Sequence, residues 1–114
     1  MTIPAITILV TRNGMGEADP ELQTKLIQTY FHLLDESDML PGVIAFYTEG
    51  VYLVCEGSPV LDSLKSLEAK GVRLVICNTC LNFFDLADKI AVGIPGGMTD
   101  IIEAQFRTEK VITI

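Results

Sequence analysis

Cys77-Asn78-Thr79-Cys80 is the stretch whose residue types and spacing best suit chemistry. It follows the apolar run Val72 to Ile76 and precedes the apolar positions Leu81 and Phe84. It therefore spans the end of a buried strand and the start of a helix, with Asn78 or Thr79 available as the cap. A thiolate at such a junction is stabilised by unpaired backbone N–H groups and by the helix dipole. Surroundings of this kind bring a cysteine pKa from ~8.5 into the range of about 3.5–7.5. The thiolate is the form that attacks disulfides, persulfides and other sulfur donors, and a nearby second cysteine can resolve the adduct as an internal disulfide. The other reading of these residues is packing, with Cys77 a small hydrophobe closing a strand and Cys80 lying under the helix.

The remaining candidates are weaker. A structural zinc site wants four ligands, and beyond this pair the chain offers Cys55 and His32. His32 lies between Phe31 and Leu33 on a predicted helix, which suits a surface bystander. As the single histidine, placed in the second half of its helix, it is far from the strand ends, and this disfavours a Cys–His hydrolase. Cys55 follows Val51, Leu53 and Val54 and reads as core. Gly14-Met15-Gly16 after the first strand invites a dinucleotide reading, but Asp19 stands where the third glycine belongs. A carboxylate there repels a pyrophosphate, so the motif fails. Arg12, Asn13 and Gly14 form instead a loop able to cover the cysteine site, with Arg12 offering positive charge to an anionic sulfur, or standing as a plain surface arginine. Thr48-Glu49-Gly50, at the end of the second strand, are expected to line the same pocket. Glu49 is either an acid–base group or, as we prefer, a first-turn carboxylate suited to a helix dipole.

The elements that must position these residues are legible as an alternation. Ile3 to Thr11 is a β-branched run, predicted as a strand buried on both faces. Asp19-Pro20 caps and opens a helix with a broad apolar face from Leu22 to Leu34. Val43 to Tyr47 is a second strand, and Val51 to Cys55 a short helical piece. Ser58-Pro59 opens the next helix, which Gly71 stops after Lys70. Val72 to Cys77 is the third strand, followed by a helix through Leu81, Phe84 and Ala87. Ile90 to Ile94 reads as a fourth strand, Pro95-Gly96-Gly97 as a loop, Met98 to Arg107 as a helix with Ile101, Ile102 and Phe106 inward, and Val111 to Ile114 as a closing strand. The alternation specifies one α/β domain with a mainly parallel sheet and right-handed crossovers. In such sheets chemistry gathers beyond the carboxyl ends of the strands. Arg12 to Gly16, Thr48 to Gly50 and Cys77 to Cys80 meet there.

Composition narrows the class. The 114 residues carry eight Lys plus Arg against fifteen Asp plus Glu, a net charge of −7, with no basic cluster. This disfavours nucleic acid and anionic membranes as partners. No apolar run reaches the ~18 residues of a membrane span, and the N-terminus does not read as a signal peptide. Three cysteines without a secretion signal do not form a disulfide framework, so the expected place is the cytoplasm, with the thiols reduced. At 49% hydrophobic and 20% charged residues, the chain is expected to cover apolar surface in a homo-oligomer.

From Phe46-Tyr47-Thr48-Glu49-Gly50-Val51 through Glu56-Gly57-Ser58, Leu64 to Gly71, Cys77-Asn78-Thr79-Cys80-Leu81, Val92-Gly93, Met98 and Lys110-Val111-Ile112-Thr113, the chain resembles the DsrE/DsrF-like family of small sulfur-relay proteins. Within it, the segment Cys77 to Leu81 is most similar to the DsrE-like domain of the YedF-like selenium-metabolism proteins. The resemblance implies a flavodoxin-like three-layer α/β sandwich, assembly into oligomers and a persulfide on Cys77, with Cys80 as assisting or resolving thiol. No metal or organic cofactor is required. Asn78 stands where the YedF-like motif has glycine. Those proteins also carry a TusA-like domain ahead of the DsrE-like part, so a TusA-like donor or acceptor is expected as a separate partner. The competing functions are a binding module without turnover and a dithiol–disulfide redox protein.

Overall fold

The computed structural model describes residues 5–37 and 39–114. Five strands form one sheet: β1 (Ile6–Val10), β2 (Val43–Phe46), β3 (Arg73–Cys77), β4 (Ile94–Gly96) and β5 (Lys110–Thr113), in the order β4-β3-β2-β1-β5. Every strand pair is parallel. The helices are α1 (Pro20–Glu36), α2 (Leu61–Ala69), α3 (Asn78–Phe83) and α4 (Met98–Arg107), with a 3-10 helix at Thr48–Val54.

The strand order follows from right-handed crossovers. The first three connections step one way across the sheet and the last returns past β1, so α4 must cross on the opposite face. Side chains mark the two faces. Phe31 of α1 packs on Phe46, with ring centroids 6.4 Å apart. Ile8 and Val10 lie in register with Ile44 and Phe46 and share that face. Thr7, of opposite parity, is fully buried and donates its hydroxyl to the Ala104 carbonyl of α4 at 3.1 Å. Lys70 joins the layer of α1 and α2, donating its ammonium to the Asp35 carboxylate at 2.9 Å. This is the three-layer flavodoxin-like arrangement expected for the chain.

Helix boundaries follow local chemistry. Asp19 accepts the Glu21 N–H at 2.9 Å and Pro20 opens α1. Gly71, at φ +99°, ends the α2 segment as the sequence requires. Four expectations are corrected. Ser58-Pro59 forms a turn, and α2 starts only at Leu61. The fourth strand is Ile94–Gly96, so Pro95-Gly96 belongs to the sheet, and Ile90 makes an isolated antiparallel bridge with Cys55 instead. The helix after β3 stops at Phe83, because Phe84 and then Asp85, at φ +57°, turn the chain away before Ala87. On α4, Ile101 and Ala104 are buried while Ile102 and Phe106 face outward, since the helix meets the sheet through a narrow stripe. The first strand begins at Ile6, and the expectation at Ile3 and Pro4 lies outside the described residues.

One close approach fixes the end of β2. The Gly50 backbone lies against the Val10 carbonyl, and a Cβ there would sit 2.2 Å from that oxygen. Relief must come from backbone, since no flexible side chain stands in the way. Gly50→Ala is expected to lose about 3 kcal/mol, the upper range for overpacking. It should lower the urea midpoint accordingly, and an unchanged midpoint would show that the segment can lift off β1 freely.

Candidate functional site

The carboxyl ends of β1, β2 and β3 converge as expected, and Thr48 is the residue that joins them. Its backbone is left-handed, at φ +49°. For a β-branched residue this conformation is a steric outlier costing about 1–3 kcal/mol. Its hydroxyl lies 2.6 Å from the Thr11 carbonyl just beyond β1 and 2.7 Å from the adjoining Tyr47 carbonyl, within donating reach of both. Its N–H donates to the Cys80 sulfur at 3.1 Å.

Cys77 closes β3 and caps α3. Its sulfur, rather than a side chain of Asn78 or Thr79, accepts the Cys80 N–H at 3.4 Å. The Cys80 thiol donates to the same sulfur, with the two sulfurs 2.9 Å apart. Cys77 is 2% exposed, whereas Cys80 is only half-buried. Cys80 opens into an apolar cavity of about 270 Å³ walled by Thr48, Thr79, Phe83 and Phe84. Tyr52 stacks on Phe84 with centroids 5.1 Å apart and stiffens that wall. Burial pushes the Cys80 thiol up, and its hydrogen bond to Cys77 adds to this, while the Thr48 N–H opposes both.

A second, polar cavity of about 630 Å³ lies beside it, lined by Arg12, Asn13, Gln23, Tyr47, Thr48 and Glu49 among others. Thr48 is common to both cavities. Arg12 lies in the polar cavity with its guanidinium donating to the Gly16 carbonyl at 3.3 Å and standing 3.5 Å from Glu17. Gly14 packs on Gln23, where a Cβ would meet the Gln23 Cβ at 2.7 Å. Gly50 is buried on β1, Glu49 is exposed in the first turn of the 3-10 helix, and Asn78 is exposed in α3. The structure thus places Cys80 and Thr79 at the apolar cavity and Arg12, Asn13 and Glu49 at the polar one. Gly14 and Gly50 serve close backbone packing.

Cys55 is core, with its thiol donating to the Val51 carbonyl at 3.2 Å. His32 is exposed and paired with Glu36 at 2.9 Å. Among the described residues, no group of three or more His, Cys, Asp or Glu side chains is arranged to hold a metal, and no helix is long and apolar enough to cross a membrane. The sequence places the segment Thr48 to Gly50 at the site but singles out Glu49 and Gly50 within it rather than Thr48. A Thr-Glu-Gly after a strand signals a turn, but nothing in it marks the threonine rather than the glycine as the left-handed residue.

A profile of the DsrE/DsrF-like family matches residues 6–114, and the chain belongs to that family. The family as a whole is one of sulfur relay. The fold is shared with the YchN protein from E. coli, at a TM-score of 0.71 and 15% identity, over 98% of this chain and 100% of that one. It is shared too with MTH1491 from Methanobacterium thermoautotrophicum, at 0.70 and 17% identity, over 97% and 99% of the two chains. No curated protein matches the chain significantly.

The three thiols should separate by reactivity. Cys80 is expected to alkylate first and Cys55 last, because burial and the Glu56 charge both push the Cys55 thiol up. Cys77→Ala removes one hydrogen bond and one neighbouring charge that raise Cys80. Thiolate is the reactive form, so the inflection of Cys80 alkylation should move to lower pH in that variant. Peptide-resolved iodoacetamide kinetics read both effects; an inflection that stays or rises contradicts the thiol–thiol contact.

Proposed function

We propose that the chain is a sulfur-relay protein that carries sulfane sulfur as a persulfide on Cys77, with Cys80 as the assisting and resolving thiol. The observation that carries this reading is the pair of sulfurs 2.9 Å apart at the carboxyl edge of the sheet, one buried and one opening onto a cavity. Because Cys80 faces the cavity, it meets the donor first. Its thiolate attacks the outer sulfur of a donor persulfide R–S–SH. The donor S–S bond breaks, R–S⁻ leaves, and Cys80–S–SH forms. The Cys77 thiolate then attacks the same outer sulfur, giving Cys77–S–SH and returning Cys80 as thiolate. Both exchanges are redox-neutral. In the resolving step, Cys80 attacks the inner sulfur of Cys77–S–SH. A Cys77–Cys80 disulfide forms and sulfide leaves, so the sulfane sulfur gains the two electrons that the cysteines lose.

No metal or organic cofactor takes part, and the cytoplasm, where thiols stay reduced, suits this chemistry. The partners in this reading are a protein sulfur donor or acceptor, of the TusA-like kind that accompanies YedF-like domains, and a second copy of the chain. Phe83, 82% exposed beside the Cys80 cavity, gives such a partner an apolar contact next to the reacting thiol. Met98, Ile102 and Phe106 form an exposed i, i+4, i+8 stripe on α4 suited to self-association.

Intact mass spectrometry after incubation with a sulfane-sulfur donor, followed by peptide mapping, tests the relay. The expected result is one added sulfur on Cys77 in the parent protein, stalled on Cys80 in Cys77→Ser and slowed at least tenfold in Cys80→Ser. Sulfur that maps only to Cys80 in the parent protein, with none on Cys77, sinks the assignment. Loss of two hydrogens without added sulfur points instead to a dithiol–disulfide redox protein. For self-association, sedimentation should find a species heavier than the 12.5 kDa chain, dispersed by Ile102→Glu with Phe106→Glu. A monomer at micromolar concentration rejects that part.

A further inference from the structure

We propose that Thr48 is a positioning residue for Cys80. Its strained backbone aims an N–H at the Cys80 sulfur, and its hydroxyl locks that aim by anchoring to the end of β1. The inference rests on the thiol-pair reading above but concerns how the exposed thiol is held, a task that neither the family nor the motif assigns to this position.

Three observations converge on it. The first is conformational. Thr48 lies at φ +49°, which a β-branched residue adopts only when its surroundings over-determine it. A plain turn at this place would carry glycine, asparagine or aspartate. The second is the set of contacts that define the conformation. The hydroxyl reaches the Thr11 carbonyl at 2.6 Å as well as the adjoining Tyr47 carbonyl at 2.7 Å, and the N–H reaches the Cys80 sulfur at 3.1 Å. One residue after β2 thereby ties the end of β1 to the thiol that follows β3. The third is location, since Thr48 forms part of the wall of both cavities.

The physical role follows from what else surrounds the thiol. The walls of the Cys80 cavity contributed by Thr48, Thr79, Phe83 and Phe84 carry no charge. The titratable group in contact is Cys77, which disfavours charge on Cys80. Tyr52 lies behind Phe84, while Glu49, Tyr47, Arg12 and Glu17 line the neighbouring cavity. The Thr48 N–H is therefore the donor that offsets burial at this sulfur from outside α3. Its effect depends on direction, and direction depends on the peptide between Tyr47 and Thr48. A freely rotating peptide would present the N–H only part of the time. The hydroxyl anchor removes that freedom, at the expense of a strained φ. Threonine thus stands where glycine would be the relaxed choice.

The test is alkylation of Cys80 across pH in Thr48→Ala, Thr48→Gly and Thr48→Ser, resolved by peptide mass spectrometry, with buried Cys55 in the same chain as the gauge of unfolding. No sulfur donor is present, so the outcome is separate from the relay. A chain that never loads sulfur rejects the relay and leaves this inference standing, and the converse also holds. Loss of the anchor in Thr48→Ala and Thr48→Gly is expected to slow Cys80 alkylation at pH 7 about three- to tenfold and to move its inflection to higher pH. Thr48→Ser keeps the hydroxyl and should restore the profile of the parent protein. Thr48→Gly relieves the strained φ and should stay folded even if Thr48→Ala does not. Unchanged profiles in both anchor-free variants overturn the proposal, and so does a Thr48→Ser profile as slow as that of Thr48→Gly.

Discussion

The chain leaving β2 has to turn directly over the end of β1, and the Gly50 backbone there rests on the Val10 carbonyl with no room for a side chain. This close approach sets the height of the whole carboxyl edge. It brings Thr48 down to the Thr11 carbonyl and lays the 3-10 helix across the strand end. It also supports the aromatic wall, because Tyr52 of that helix stacks on Phe84. A side chain at position 50 would raise the segment and separate Thr48 from both of its partners. The chemistry at the thiol pair is thus tied to a packing constraint two residues beyond Thr48 in the chain.

The pair itself shows how one residue can serve structure and reactivity together. Cys77 ends β3, fills core and caps α3 through its sulfur. A hydroxyl or carboxylate would cap that helix more strongly, but would put a polar group where the core needs an apolar one. Sulfur is a weak acceptor and a good hydrophobe, so both demands are met in part. Cys80 then sits directly over Cys77, a placement that the helical turn between them enforces.

Most of this architecture was legible in the sequence because it rests on local signals. Asp19-Pro20 and Gly71 set helix boundaries by capping and by φ, which depend little on distant residues. The continuous apolar runs at Ile6 to Val10 and Leu74 to Ile76 could only be strands buried on both faces. Illegible parts depended on tertiary partners. Ile94–Gly96 is strand only because β3 offers it a partner, although Pro95-Gly96 alone reads as a loop. Ile102 and Phe106 continue the helical spacing of Ile101, yet the sheet accepts one narrow stripe of α4. The strand-end position of Cys77 could be read, but the burial difference between Cys77 and Cys80 could not. The same holds for Thr48, whose left-handed backbone is imposed by Thr11 and Cys80 from two other strand ends.

The short strand at Pro95 also shapes the edge of the sheet. β4 is an edge strand of three residues, and its middle residue, Pro95, has no backbone N–H to offer. The opposite edge, β5, keeps its full set of donors and acceptors along Lys110–Thr113. Open-ended growth, copy after copy joined through one continuous sheet, needs two competent edges meeting head to tail. Pro95 blunts one of them. A chain this rich in β-branched and aliphatic residues is thereby steered away from fibre formation, because pairing across β5 alone would close on a twofold axis and stop at two.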